Sequence, residues 1–458
     1  MTDNNLDENI ICIKKLHKEN KLNLDVCDEF LNMLPSLTTK HSVSDNASFL
    51  EIMGRPDRNM KIIHVAGTNG KGSVCNYLSS ILVQTGFHVG MFTSPHLVKV
   101  TERFKINGND ISDDVFIASF LNILDEIEKY QKTEEGRGDF FPSYFEYLFF
   151  MAMDIYKDSA IDYLVLETGL GGLLDVTNVI EKPLACVITE IGFDHMQYLG
   201  DSYEEIAAHK AGIIKEKVPV IFFDKRKETT KVITDTAQKK QAKIRCITEA
   251  NISNVKLLED DGGNKYVDFC FDSEYYNYVG LCLRTAATYQ TQNAALAISC
   301  IEEISDLGDI RISFDNIKTG LNKALWPCRM EEIRPGFIVD GAHNTDGMEA
   351  FLKSAGEIEN KGNKILLFGA VSDKQYFEMA SMIENSKIFD KIAVACLRTG
   401  RSLDMESLKD AFSSFDNVSF YDSVDDAVAY IYSIRQNNDL IFAAGSLYLA
   451  GQLKEKSE

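Results

Sequence analysis

At 458 residues the chain exceeds what one ordinary hydrophobic core organises, and it suits two or three domains, with two the expectation. Its 69 acidic against 48 basic residues leave a formal net charge of −21, which disfavours binding to nucleic acid or to an anionic membrane, so any anionic ligand must be held by a local cluster. No run approaches ~18 consecutive apolar residues, Met1 to Asn9 has neither a basic nor an apolar leader pattern, and the ten cysteines include no C-x-x-C pair, so the expectation is a soluble, cytoplasmic protein with reduced, mostly buried thiols.

Residues 1–60 read as helices and a connecting loop, with Pro35 and the polar stretch Thr38 to Asn46 breaking the pattern. Next comes Lys61-Ile-Ile-His-Val-Ala-Gly-Thr-Asn-Gly-Lys-Gly-Ser73, an apolar β-branched strand running into three glycines, with Ser73 opening a helical pattern through Val83. Glycines let backbone N–H groups converge on an anion, the helix N-terminus adds its dipole, and Lys71 adds a point charge. The expectation is a phosphate cradle. Gly72, between the lysine and the hydroxyl residue, sets it apart from the usual P-loop spacing.

Phe87 to Phe92 reads as a short strand leaving into Thr93-Ser-Pro-His-Leu97. Phe140 to Met153, apolar on most sides after its proline, reads as a buried helix. Ile161 to Glu167 and Leu184 to Thr189 are strands that place Glu167 and His195 at or just beyond their ends, where open α/β sheets bind ligands. Ser202-Tyr-Glu-Glu205 is a capping box for a helix through Lys210, stopped by Gly212, and Val218 to Phe223 is a further strand. Continuous apolar strands alternating with helices predict a mostly parallel sheet covered on both faces. From about 255 to 283 short alternating strands surround a hairpin at Asp260-Asp-Gly-Gly-Asn264, and helices follow from Tyr289 and near 313–325. Strands at Phe337, Lys364, Lys391 and Leu440 then form a second, smaller α/β unit, giving domains 1–324 and 325–458.

A nucleotide in the cradle calls for Mg²⁺, a hard cation that takes oxygen ligands and keeps water. Ser94, Glu167 and His195 all follow strands and are candidates, although a loop cap, a structural carboxylate and a core imidazole explain them singly. Lys210 reads most simply as a helix C-terminal charge. Asp340-Gly-Ala-His-Asn344 and Arg329 supply polar groups near the boundary, where a plain turn and a surface arginine are the alternatives.

Taken together these motifs resemble one family. Val65-Ala-Gly-Thr-Asn-Gly-Lys-Gly-Ser73, Thr93-Ser-Pro-His-Leu97, Glu102-Arg103, Leu166-Glu-Thr-Gly-Leu-Gly-Gly172, Asp194-His195, Lys210-Ala-Gly-Ile-Ile-Lys215, Trp326-Pro with Arg329, Asp340-Gly-Ala-His-Asn344 and Gly445-Ser-Leu-Tyr448 occur in the order of the folylpolyglutamate synthase/dihydrofolate synthase family, a branch of the Mur ligases. The resemblance implies an α/β fold with an N-terminal P-loop domain and a C-terminal α/β domain. It also implies an ATP-dependent ligase in which a pteroate or folate carboxylate takes the γ-phosphoryl group and the amine of L-glutamate attacks the acyl phosphate.

By the same resemblance Gly67, Thr68, Asn69, Gly70, Lys71, Gly72, Ser73, Asn293, Arg329 and Asp340 would hold ATP, and Ser94, Glu167, His195 and a carbamylated Lys210 would hold magnesium. Ser143, Leu174, Asp175 and Val176 would face the pterin, and His343 and Ser446 the glutamate. Lys71, Lys210 and His343 would carry the catalytic burden. The implied partners are small molecules alone, acting on a monomer. Leu173, Tyr147, Tyr289, Cys328 and Thr345 depart from the family pattern, as does the segment 38–50. A Mur-type ligase for another carboxylate, or a nucleotide-binding module without catalysis, are the alternatives.

Overall fold

The computed structural model describes residues 3–35, 41–133, 140–308 and 311–457, so the expected polar break at Thr38 to Lys40 lies outside the described residues. Seventeen strands are present among them. They are β1 (Lys61–Ala66), β2 (Val89–Phe92), β3 (Phe104–Ile106), β4 (Asn109–Asp110), β5 (Tyr163–Glu167), β6 (Ala185–Ile188), β7 (Val220–Phe223), β8 (Ile244–Ile247), β9 (Ile252–Glu259), β10 (Lys265–Asp272), β11 (Asn277–Leu283), β12 (Glu331–Arg334), β13 (Phe337–Val339), β14 (Lys364–Phe368), β15 (Lys391–Ala395), β16 (Val418–Tyr421) and β17 (Leu440–Ala444).

The first eight form one sheet in the order β4-β3-β2-β5-β1-β6-β7-β8. From β2 to β8 all neighbours are parallel, and β3 and β4 add an antiparallel edge. The central strands β1, β5 and β6 are buried along nearly their whole length, which is why they read as unbroken apolar runs. One face packs on helices Asp113–Tyr130 and Tyr144–Asp158, through an aromatic cluster including Phe49, Phe116, Phe120 and Phe150. The other face packs on helices Lys71–Gln84 and Gln290–Asp306.

The antiparallel sheet β11-β10-β9 covers the second of those helices, and its β9-to-β10 hairpin sits where the sequence places it. The last six strands form a third sheet, β12-β13-β17-β14-β15-β16, parallel from β13 to β16.

Three local differences have local causes. Helix Val43–Ile52 begins inside the polar stretch, because Ser42 and Asp45 form a reciprocal capping box whose hydroxyl and carboxylate satisfy the first backbone donors. Helix Lys71–Gln84 begins two residues before Ser73, with Gly70 at its cap. Strands β8, β12 and β16 are not among the strands expected from the sequence; each is four residues long and none is buried throughout, so none reads as a continuous apolar run. Among the described residues no helix is long and apolar enough to cross a membrane, and all ten cysteines are free, five of them buried.

Candidate functional site

The parallel strands of the first sheet end at one rim, and that rim faces the third sheet across a cleft of about 1530 Å³. Every residue singled out from the sequence as a site candidate lines this cleft, from Gly67 to Ser73 on one wall to Asp340, His343 and Ser446 on the other.

The glycine loop is shaped by close approach. A side chain at Gly67 would stand 1.8 Å from Thr189 Oγ1, and one at Gly70, where φ is +89°, would stand 2.3 Å from Asn293 Oδ1. The loop is sewn to the segment after β6. Thr68 N–H donates to Glu190 O at 2.8 Å, Thr68 Oγ–H to Gly192 O at 3.0 Å, and Thr189 Oγ–H to Asn69 O at 2.7 Å. Gln290 reaches over from its helix to donate to Ser73 Oγ at 3.0 Å and accepts from Asn293 at 2.9 Å. Trp326 closes over Gly72, whose missing Cβ makes room for the indole.

Lys71 occupies the first turn of its helix, donates to Thr68 O at 3.2 Å, and lies 3.8 Å from Glu167 Oε1. Glu167, at the end of β5, is buried and accepts from Ser94 N–H at 3.2 Å. Burial pushes its carboxyl up to about 7, a shift that the Lys71 charge opposes. Lys210 is also buried and donates to Gly67 O at 2.7 Å. Desolvation first, and the Lys71 charge second, bring its amine down to about 7.

His195 adopts φ +53° beside Asp194, and burial pushes its imidazole down to about 4. Burial would raise the Asp194 carboxyl. The hydrogen bond and charge of His343, with Lys374 and His195, hold it well below the usual carboxylate range instead.

Among the described residues no three His, Cys, Asp or Glu side chains converge as a metal cage. The donor set nevertheless fits magnesium, which binds through one or two carboxylates and completes its shell with water and phosphate oxygens. Glu167 is such a carboxylate, buried at the phosphate loop with the Lys71 ammonium 3.8 Å from it. As a free amine Lys210 offers no ligand oxygen.

From the third sheet, Asp340 accepts from Met330 N–H at 3.0 Å and Ala342 N–H at 2.8 Å. Tyr289, one of the departures, donates its hydroxyl to Asp340 Oδ2 at 2.7 Å and so joins the two walls. Burial raises the Asp340 carboxyl against the nearby Arg329 charge. His343 Nδ1 bonds Gly341 O at 2.8 Å, while Ser446 caps the last helix by accepting from Tyr448 N–H at 3.1 Å.

Asn69 and Asn344 exchange side-chain amide bonds across the cleft at 3.0 and 3.3 Å. At the far end lie Ser143 at a helix cap, exposed Leu174, and buried Asp175 and Val176. The remaining departures have local explanations. Tyr147 is buried and donates to Phe120 O at 2.7 Å, Leu173 packs on Gly212, Thr345 Oγ donates to Gln375 at 3.3 Å, and Cys328 is buried with φ +53°.

Sequence reasoning gave no role to Asp194, Lys374, Gln290 or His64, which the structure ties to the site or to its loops. Asp194 carried a signal, a carboxylate in a loop just beyond a buried parallel strand. The other three depend on contacts more than a hundred residues apart.

Two family models match the chain, the Mur ligase middle domain over residues 146–301 and the Mur ligase glutamate ligase domain over 328–447. The chain is similar to the dihydrofolate synthase/folylpolyglutamate synthase of Bacillus subtilis, 33% identical over 407 residues that make 88% of this chain and 92% of that protein. Among solved structures it resembles the apo form of L. casei FPGS, with TM-score 0.82 and 25% identity over 95% of this chain and 99% of that one. It also resembles E. coli FolC in complex with DHPP and ADP, with TM-score 0.80 and 28% identity over 95% and 97%. With the ordered motifs, the strand-end cleft and a relative matched over nearly its whole length, the chain belongs to the dihydrofolate synthase/folylpolyglutamate synthase family of the Mur ligases.

Proposed function

We propose that this chain is an ATP-dependent ligase that adds L-glutamate to a folate, to dihydropteroate, or to both. A carboxylate oxygen of the pteridine substrate attacks the γ-phosphorus of ATP, the bond to the β-phosphate oxygen breaks, and ADP leaves. The amine of glutamate then attacks the acyl carbon, inorganic phosphate departs with the bonding pair, and the amine loses a proton as the amide forms. The observation that carries this reading is the convergence of Lys71, Glu167 and Lys210 on the glycine loop, opposite Arg329, Asp340 and His343 in one cleft.

The backbone from Gly67 to Ser73 and the Lys71 ammonium would cradle the triphosphate, spreading charge that builds on the transferred group. Asn293, Arg329 and Asp340 would hold the nucleotide from the helix and the second unit. His343 and Ser446 would orient glutamate, and Ser143, Leu174, Asp175 and Val176 the pteridine. Ser94, Glu167, His195 and a carbamylated Lys210 would hold magnesium, which supplies a Lewis acid for the phosphate oxygens.

Carbamylation is supported by the burial of Lys210, because an amine brought down to about 7 is half neutral near pH 7 and able to add to CO₂. We assign the phosphate-binding unit to residues 1–324 and the partner unit to 325–458. Both walls come from one chain, which supports action as a monomer, and the demand for ATP supports a cytoplasmic setting.

The test is ADP release with dihydropteroate or tetrahydrofolate, with and without L-glutamate. Turnover that requires both the pteridine and glutamate is expected. ATP binding without glutamate-dependent turnover on any pteridine would instead leave a nucleotide-binding module.

A further inference from the structure

After Lys61, the exposed residue that opens it, strand β1 is apolar except at His64, which is fully buried between Ile63 and Val65 in the middle of the central strand. An isoleucine or valine would suit that position in a parallel sheet. The imidazole Nε2 instead lies 2.9 Å from Thr177 Oγ1, and Nδ1 is buried with no hydrogen-bond partner. Thr177, also fully buried, donates its only hydroxyl proton to Asp175 Oδ1 at 2.5 Å. Oγ1 must therefore accept from the ring, which places the imidazole proton on Nε2 and leaves Nδ1 as the orphaned lone pair. Burial, with the nearby Lys215 charge, pushes the imidazole down to about 3, so the ring is neutral at every physiological pH.

Asp175 accepts from Thr177 N–H at 3.0 Å on one oxygen and from Leu170 N–H at 2.8 Å on the other, pinning both ends of the loop that runs along the cleft. We infer that His64 and Thr177 are positioning residues, a buried relay from the central strand that fixes the rotamer of Asp175 and with it the Leu170–Val176 loop facing the pteridine. The relay touches no reacting atom. It explains why a histidine with one unsatisfied nitrogen stands in the middle of an otherwise apolar stretch.

This inference rests on the ligase reading, since the pteridine is the probe. The experiment compares His64→Leu, which removes the donor, with His64→Gln, whose amide N–H can take the place of Nε2–H. Apparent KM for dihydropteroate or tetrahydrofolate, KM for ATP and kcat are measured on each folded variant. For His64→Leu the pteridine KM should rise about tenfold with the ATP KM unchanged, the size expected when a hydrogen bond in a chain ending on a carboxylate is lost. His64→Gln should recover most of that loss.

If His64→Leu does not fold, Thr177→Val and Thr177→Ser provide the same contrast, with the serine restoring what the valine loses. An ATP KM that rises in step with the pteridine KM, or a donor-retaining variant no better than the apolar one, would overturn the relay alone. A wild-type enzyme with no glutamate-dependent turnover on any pteridine would overturn the ligase reading and the relay with it.

Discussion

Gly70 and Gly72 admit Asn293 and Trp326 to the phosphate loop because they have no side chains of their own. Gly70→Ala would meet Asn293 Oδ1 at 2.3 Å and strain a backbone held at φ +89°. Such strain costs about 1–3 kcal/mol, so nucleotide affinity should fall about tenfold or more in a calorimetric titration. Gly86→Ala is the control, since φ there is +99° with nothing within 4 Å. It should cost stability and leave nucleotide affinity intact; equal losses of affinity would sink the argument from Asn293.

Lys210 makes a prediction about pH. Its folded-state amine is brought from 10.5 down to about 7, so between those values the unfolded chain binds more protons than the folded one. The uncarbamylated protein should therefore gain stability as pH rises through that window, the gain being absent below about pH 7. Adduct formation needs the neutral amine, so the added carboxyl group seen by intact-mass measurement in bicarbonate should increase from pH 6 to pH 8. Lys210→Ala should show neither trend. An unmodified yet fully active wild-type enzyme would refute the modification.

At the scale of elements, helix Gln290–Asp306 connects stability to the site. Its first turns bring Gln290 and Asn293 to Ser73 and Gly70, while near its end Glu303 accepts from Arg245 Nε on β8 at 2.7 Å. Both members of that pair are buried, and Arg245 also pairs with Glu274. Glu303→Gln keeps an oxygen for Arg245 but loses the charge that faces both Arg245 and Lys243, 2.9 Å away. It should cost about 3 kcal/mol in urea denaturation, the low end for a broken buried pair because Glu274 remains. Nucleotide affinity should stay the same, since the pair lies at the far end of the helix. A large loss of affinity would mean that the helix moves as one piece.

This helix also marks what could be read from sequence. Its existence, the hairpin beside it and the glycine loop follow from local chemistry: apolar periodicity, a turn-forming Asp-Gly-Gly run and backbone freedom at glycine. The capping of Val43–Ile52 was equally local, but its polar residues disguised a helix start as a loop. Gln290 and Lys374 could not be read in the same way, because their meaning lies in partners on other elements.

For the whole molecule, the decisive feature is how the first and third sheets grip each other around the cleft. Asn69 and Asn344 exchange amide bonds, Lys374 and His343 reach Asp194, and Arg226 donates to Asp346 Oδ1 at 2.7 Å. Asp346 is buried, accepts from Phe193 N–H at 3.3 Å, and sits 2.1 Å from where a Cβ on Gly192 would be.

This joint has a chemical consequence, because an acyl phosphate survives only while water is kept from it and glutamate is held near it. Asp346→Ala removes a charge-assisted hydrogen bond worth about 1.5–3 kcal/mol, which shifts the population of the gripped arrangement about tenfold or more. Glutamate-dependent turnover should fall by a comparable factor. ADP released in the presence of pteridine but without glutamate should become a larger share of the total, as water replaces the amine. Asp346→Asn keeps one of the two accepting oxygens, enough for Arg226 or for Phe193 N–H but not for both, and should fall between wild type and Asp346→Ala. The radius of gyration from solution scattering should increase in the same order; an unchanged ratio of coupled to uncoupled ADP release in Asp346→Ala would show that the joint does not control access to the intermediate.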